Sequence, residues 1–221
     1  KKDYLTINKE GLEFVDIAIT TTNIDAKNLD DVNNAFKDVF TLKNLSKNKQ
    51  IHSNIVNKVD KDNIGQIIDG DAIITNEKNV PLLILTADCV PVVLADKVNK
   101  AVGLVHAGWR GTYGKICSET LQSMKENYNT NPEDVVAIIG PSIGKCCYEV
   151  SYDLVEKFSA LLPNADEKIY EIRDEKYYLD LWEINTQILK EFGVLKSNII
   201  NMNICTSCNC DRFFSYRKHD K

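Results

Sequence analysis

Histidine and arginine are scarce in this chain of 221 residues. There are three histidines, His52, His106 and His219, and four arginines, Arg110, Arg173, Arg212 and Arg217. Three imidazoles cannot furnish a trinuclear copper cluster together with a blue-copper site, because imidazole is the usual ligand of both. No apolar run approaches the roughly 18 residues that span a bilayer; the longest, such as Val80–Leu85, are strand-sized. No membrane partner is expected. No secretory apolar segment follows Lys1-Lys2-Asp3-Tyr4, so a cytoplasmic location is expected. Low-complexity tracts, repeats and Pro/Gly/Ser-rich linkers are also missing, which leaves one domain over residues 1–221 as the simplest organisation. An excess of positive charge is absent too. Lys+Arg number 27 against Asp+Glu 32, a net charge of −5, which gives no general basic surface for nucleic acid.

Cysteine is what the chain does have. Its seven cysteines are an odd number, and Cys146 and Cys147 are adjacent. Reduced thiols with metal-binding or catalytic use fit that pattern better than a disulfide framework. With 43% hydrophobic and 27% charged residues the composition is that of a globular domain.

Periodicity predicts a helix over 28–45, where Leu29, Val32, Phe36 and Val39 recur at helical spacing and Asp30 and Asp31 occupy the first turn. Short apolar runs at 72–75, 81–85, 92–94, 101–105 and 134–139 read as strands. Helices are expected after Gly114, where Cys117, Leu121, Met124 and Tyr128 line one face, and over 153–162 and 181–192, with a strand at 198–204. Strands and helices do not alternate strictly, so the expected class is α+β with mixed β-sheets and flanking helices.

His106 lies in Leu104-Val-His-Ala-Gly-Trp-Arg-Gly111 after an apolar strand, and Cys89 in Leu85-Thr-Ala-Asp-Cys-Val-Pro91, read as the end of another. With His52 they compose a one-thiolate, two-imidazole ligand set suited to zinc, with copper as competitor, and a fourth position left for water or substrate. Spacing alone favours the alternative, a buried thiol beside a core histidine. His219, near the chain end, reads as a solvated residue. Cys205-Thr-Ser-Cys208 is half of a ribbon-type zinc motif. The chain has no second CxxC, and Cys146-Cys147 has a different spacing, so buried thiols or a substrate-lining loop are expected ahead of a structural site of four thiolates. Cys208 could instead close the fourth position of the His52–Cys89–His106 set and make it purely structural, which would favour a non-enzymatic, metal-stabilised binding module. Arg110 is expected just before a helix, where guanidinium and backbone N–H groups would suit phosphate. Arg212 and Arg217 bracket Phe213-Phe214-Ser-Tyr216, which is either a wall against a flat base or a packed terminal segment. Asp88 is a strand-end cap or a carboxylate serving as general acid/base, and Asp71 is ambiguous in the same way. The loop Gly140–Cys147, followed by Tyr148 and Glu149, lacks the order of a P-loop.

Several segments in order carry a resemblance: Gln50-Ile-His52, Gly70-Asp-Ala-Ile-Ile-Thr75, Thr86-Ala-Asp-Cys-Val-Pro91, Val105-His-Ala-Gly-Trp-Arg-Gly-Thr112, Gly140-Pro-Ser-Ile-Gly144, Cys147-Tyr-Glu-Val150, Tyr178-Leu-Asp-Leu-Trp182 with Asn185, and Cys205-Thr206 followed by Asp211-Arg-Phe-Phe-Ser-Tyr-Arg217. Together they resemble the YfiH family, also called the multicopper polyphenol oxidoreductase (laccase) family, which includes a purine nucleoside phosphorylase group. The resemblance implies an α+β fold with mixed sheets and a metal held by His52, Cys89 and His106. It also implies phosphorolysis of adenosine, inosine and methylthioadenosine, with some adenosine deamination; copper-dependent phenol oxidation is the family's older label. Catalytic roles are then expected for Asp88, Cys89 and Arg110, and substrate contacts from Arg110, Arg212, Phe214 and Arg217. The expected partners are purine nucleosides and phosphate. Near the N-terminus the family's Arg-Gly-Gly and Leu-Asn-Leu-Gly stretches are replaced by Ala18-Ile-Thr-Thr-Thr-Asn23.

Overall fold

A computed structural model describes residues 3–37, 42–165 and 168–219, the side chain of His219 excepted. The chain opens with β1 (Tyr4–Ile7), β2 (Ile17–Thr20) and α1 (Leu29–Phe36), followed by β3 (Ser46–Lys47), β4 (Val56–Lys58), β5 (Ala72–Thr75) and β6 (Leu82–Leu83). The centre comprises β7 (Val90–Asp96), β8 (Val102–Ala107), α2 (Trp109–Tyr113), α3 (Ile116–Tyr128) and β9 (Val135–Ile139). The last third adds β10 (Glu149–Val150), α4 (Tyr152–Leu161), β11 (Tyr170–Arg173), β12 (Lys176–Leu179), α5 (Leu181–Phe192), β13 (Ile199–Asn201) and α6 (Tyr216–His219).

A six-stranded mixed sheet in the order β13-β9-β7-β8-β5-β4 organises the molecule. Its outer pairs, β13–β9 and β5–β4, are parallel; the inner pairs are antiparallel. Alternation along the strands divides the core. Val92, Leu94, Ala137 and Ile139 face the large cluster with α3 and α5, while Ala95, Val136 and Ile138 face Leu12 and Ile17 on the other side. Both faces are covered, so β9 is buried throughout and reads in sequence as an unbroken apolar run. The fold is α+β with mixed sheets and flanking helices, as expected.

Local chemistry sets the helix ends. Asn28 caps α1 by accepting the Asp30 N–H at 3.0 Å, and Asp180 caps α5 by accepting the Glu183 N–H at 3.0 Å. Gly193, at φ +112°, ends α5 in the left-handed region. The helix expected over 28–45 is observed as Leu29–Phe36. Part of the remainder, at 38–41, lies outside the described residues, and 43–44 form a turn. The run 81–85 contributes only the two residues of β6. Cys89 therefore does not close a long strand; it stands immediately before β7. No helix among the described residues is long and apolar enough to cross a membrane.

Candidate metal centre

The antiparallel register of β7 and β8 starts the site. Val90 pairs with Ala107 and Pro91 with His106, which brings Cys89, just ahead of β7, beside the end of β8 that carries His106. His52 arrives from the loop between β3 and β4. A ligand atom from each of His52, Cys89 and His106 lies within 4.8 Å of the other two. The imidazole rings of His52 and His106 stand 4.9 Å apart, nearly perpendicular.

Asp71, immediately before β5, fixes two of these three residues. Its fully buried carboxylate accepts the backbone N–H groups of Ile51 (3.2 Å), His52 (3.0 Å) and Ser53 (2.6 Å) and the Ser53 hydroxyl (2.7 Å). It also lies 2.8 Å from His106 Nδ1, while its backbone carbonyl accepts the His106 N–H at 2.7 Å. Burial by itself would raise the Asp71 pKa, but the Ser53 N–H, His106, the Ser53 hydroxyl and the His52 N–H outweigh it and hold the carboxyl below its ordinary value. An ionised Asp71 can only accept, so Nδ1 of His106 carries the proton and Nε2 is left as the ligand nitrogen. His52 sits at φ +60°, a conformation sparsely used by residues other than glycine, and the Asp71 hydrogen bonds around it hold it there.

The electrostatics suit a ligand set. Burial, with His52 nearby, lowers the pKa of His106 against the opposing pull of Asp71, so the ring is neutral at pH 7. Burial pushes the Cys89 thiol up to about 11, with the charges of Asp88 and Asp71 acting in the same direction. Without a cation the sulfur keeps its proton; a cation would take its place.

Gly108 supplies the space. A Cβ there would stand 3.1 Å from His52 Cδ2, 3.2 Å from Cys89 Sγ and 3.9 Å from His106 Cε1, so the glycine backs onto all three residues. At Gly111 a Cβ would come 2.9 Å from the Ser53 carbonyl oxygen, so α2 also rests on the His52 loop. The donor set, the tautomer fixed by Asp71 and the room at Gly108 fit a zinc or copper ion with three protein ligands.

Around this centre the other singled-out residues divide. Asp88, at φ +82°, uses both oxygens as acceptors: Oδ1 takes the Thr206 hydroxyl at 2.6 Å and Oδ2 the Arg217 N–H at 2.7 Å. An acid–base role would require it to release one of these donors. Arg217 donates from its guanidinium to the Glu149 carbonyl at 2.9 Å and lies 5.3 Å from the Tyr148 ring centroid. Tyr148, which motif reading left without a role, is thus a neighbour of Arg217. Burial raises its pKa to about 12 against the pull of Arg217. Arg110 lies inside α2, a helix of five residues, rather than just ahead of a helix; its exposed guanidinium stacks on Trp109 at 4.4 Å. Arg212 is exposed and lies 5.5 Å from the Phe213 ring centroid; Phe213 is buried and Phe214 exposed. Asn185, fully buried on α5, donates to Thr112 Oγ1 at 3.1 Å, and that hydroxyl donates to the Ala107 carbonyl at 3.3 Å, which steadies the end of β8. The solvated side chain expected of His219 lies outside the described residues.

Spacing did not point to one further convergence. Four thiols do converge: Cys146, Cys147, Cys205 and Cys208 have their sulfurs within 4.8 Å of one another, and Cys208 belongs to this group rather than to His52, Cys89 and His106. Spacing missed it because the two cysteine pairs come from different loops joined by the bridge between Ser142 and Cys205.

Fold and site together define a class. The model of the multi-copper polyphenol oxidoreductase laccase family matches residues 18–221, and the chain belongs to that family. Among its relatives, a Clostridium acetobutylicum protein named purine nucleoside phosphorylase is 34% identical over 219 residues, which is 99% of this chain and 86% of the relative. Bacillus subtilis YlmD, which bears the same name, is 37% identical over 177 residues, 76% of this chain and 64% of that protein. The crystal structure of YlmD from Geobacillus stearothermophilus matches with a TM-score of 0.88 at 29% identity, covering 98% of this chain and 91% of that one.

Proposed function

We propose that the chain is a metal-dependent purine nucleoside phosphorylase acting on adenosine, inosine and S-methyl-5′-thioadenosine, with adenosine deaminase activity, and that zinc, with copper as the competing ion, is held by His52, Cys89 and His106. The observation that carries the reading is the convergence of three ligand atoms, from His52, Cys89 and His106, within 4.8 Å of one another, with Asp71 holding the two histidines; three protein ligands would leave a fourth position for water or substrate. The names of the relatives support the substrate class. When bound, the ion would supply Lewis-acid stabilisation of negative charge.

In phosphorolysis a phosphate oxygen bonds to the ribose C1′, the bond from C1′ to the purine breaks, and its electron pair leaves with the base, which takes up a proton. Arg110, whose guanidinium is exposed, is assigned to the phosphate; Arg212, Phe214 and Arg217 are assigned to the nucleoside, where exposed Phe214 offers a ring face to the base. Asp71 acts through His52 and His106, as a positioning residue. Asp88 sets the backbone beside Cys89 and anchors Arg217; proton transfer at its carboxylate needs Thr206 or Arg217 to let go. A phenol oxidase of the multicopper kind is the weaker reading, because three histidines cannot furnish its several copper sites.

The test is to incubate zinc-loaded protein with adenosine and phosphate and to follow adenine, ribose 1-phosphate and inosine. Formation of all three, abolished in His106→Ala, is the expected result. No turnover by either protein would overturn the reading.

A further inference from the structure

The four-cysteine cluster is chemically separate from the candidate metal centre. Cys208 Sγ stands 3.6 Å from Cys146 Sγ and 3.4 Å from Cys147 Sγ, and all four sulfurs lie within 4.8 Å of one another. Thiolates at about 2.3 Å around one tetrahedral zinc are about 3.8 Å apart along each edge. The two shortest separations here fall within about 0.4 Å of that value, and every pair lies within 4.8 Å. A multi-iron cluster would place its thiolates on separate irons and hence further apart. A disulfide needs a sulfur–sulfur distance of about 2.05 Å and joins only two partners; here two adjacent cysteines face the same Cys208.

The scaffold registers these sulfurs through its own hydrogen bonds. Ser142 and Cys205 form a parallel bridge, with the Ser142 N–H donating to Ile204 O at 3.1 Å and the Thr206 N–H to Ser142 O at 3.0 Å. The Gly144 N–H donates to Cys205 Sγ at 3.4 Å. Arg173 Nη2 holds the Lys145 and Cys146 carbonyls at 2.8 and 3.2 Å. The Asn209 N–H and side-chain amide close the Cys205–Cys208 turn on the Cys205 carbonyl, at 3.1 and 2.8 Å. Cys205 is buried, Cys147 half-buried, and Cys146 and Cys208 are exposed, so an ion can enter from solvent.

We propose that Cys146, Cys147, Cys205 and Cys208 bind one structural zinc ion. Each thiol gives its proton to solvent and forms a Zn–S bond, with no change of oxidation state. All four coordination positions are then occupied by protein, so this ion takes no part in turnover. It clamps the loop 140–148 to the segment 205–217, the segment that delivers the Thr206 hydroxyl and the Arg217 N–H to Asp88. The inference is independent of the nucleoside reading, because its test reads metal and not activity.

Cys89→Ser protein decides the matter, since it removes the other candidate ion and leaves all four cysteines intact. Zinc analysis after purification without chelator should find one ion per chain in it. The Cys205→Ser/Cys208→Ser form of the same protein should hold none, and Cys210→Ser should match its parent. Replacement of the zinc in Cys89→Ser by cobalt(II) should produce the intense thiolate-to-cobalt charge-transfer and d–d bands of a tetrahedral four-sulfur site. The double variant risks misfolding, so the cobalt spectrum of folded Cys89→Ser is the independent readout. Folded Cys89→Ser that binds neither ion would overturn the proposal, as would a disulfide among the four in anaerobically purified protein.

Discussion

Asp71 Oδ1 lies 2.8 Å from His106 Nδ1 and also accepts the His52 backbone N–H at 3.0 Å, so one carboxylate oxygen sets one imidazole of the candidate centre and the backbone that carries the other. Asp71→Asn keeps the shape but presents one acceptor oxygen in place of two to five buried or part-buried donors. Zinc affinity at this centre should fall about 10- to 100-fold, the usual effect of losing a partner of a ligating histidine. Stability should fall as well, by about 1–3 kcal/mol for each donor left unpaired. Zinc titration and thermal unfolding of the two proteins measure both effects; an unchanged zinc affinity would show that Asp71 does not orient the ligands.

The stability of the metal-free protein should be greatest between about pH 6.5 and 9. The His106 pKa is depressed from its ordinary 6.5, so its contribution is complete above that value and is lost as pH falls through the lower folded value. Asp71 is depressed from 3.8, and its contribution disappears still lower, as pH falls through its folded pKa. Cys89 runs the other way. Its pKa rises from 9.0 to about 11, so stability present below pH 9 declines as pH climbs through that interval. Zinc reverses this last effect, because the thiol must lose its proton to coordinate; zinc binding should therefore tighten with rising pH. Urea midpoints from pH 4 to 11, with and without zinc, test these signs.

Gly108→Ala separates the ion from the fold. Gly108 has φ −64°, open to any residue, so the backbone should tolerate alanine. The added methyl, however, would stand 3.1 Å from His52 Cδ2 and 3.2 Å from Cys89 Sγ, and these ligands must shift by a few tenths of an ångström. The expected outcome is a zinc affinity reduced about tenfold or more, on the scale of lost ligand orientation, with an unfolding temperature close to that of the parent. Equal losses of both would mean that the glycine serves packing alone.

The meeting of Cys89 with His106 was legible because both flank apolar runs that pair as strands, and with His52 each sits in a short motif whose residue types suit a metal. Helix 181–192 and strand 72–75 appear at their expected bounds, since each has a clean period and a marked end: Asp180 and Gly193 for the helix, Asp71 for the strand. The role of Asp71 was not legible, because its donors come from a loop some 20 residues earlier and a strand 35 residues later. The cysteine cluster was hidden for the same reason. Cys146 and Cys208 are 62 residues apart, and the Ser142–Cys205 bridge with the Gly144 N–H bond to Cys205 Sγ brings their loops together. Small sheets such as β10-β12-β11 lack an alternating apolar pattern, because their strands are mostly half-buried or exposed.

Thr206 offers a test of Asp88 that leaves every ligand and every charged group in place. Its hydroxyl is buried and donates to Asp88 Oδ1 at 2.6 Å; the other oxygen is held by the Arg217 N–H. Thr206→Val keeps the shape and removes that donor, leaving a buried carboxylate oxygen without its partner. The cost should be about 1–3 kcal/mol, which for a chain of this size lowers the unfolding temperature by roughly 2–4 °C per kcal/mol. Thr206→Ser restores the donor and should recover most of the loss. Asp88 sits at φ +82° next to Cys89, so a carboxylate freed on one side also loosens the turn that aims the thiol. Zinc affinity should therefore fall in Thr206→Val and return in Thr206→Ser. A valine variant that loses stability yet binds zinc like its parent would confine the Thr206–Asp88 bond to holding the C-terminal segment, with no reach into the metal centre.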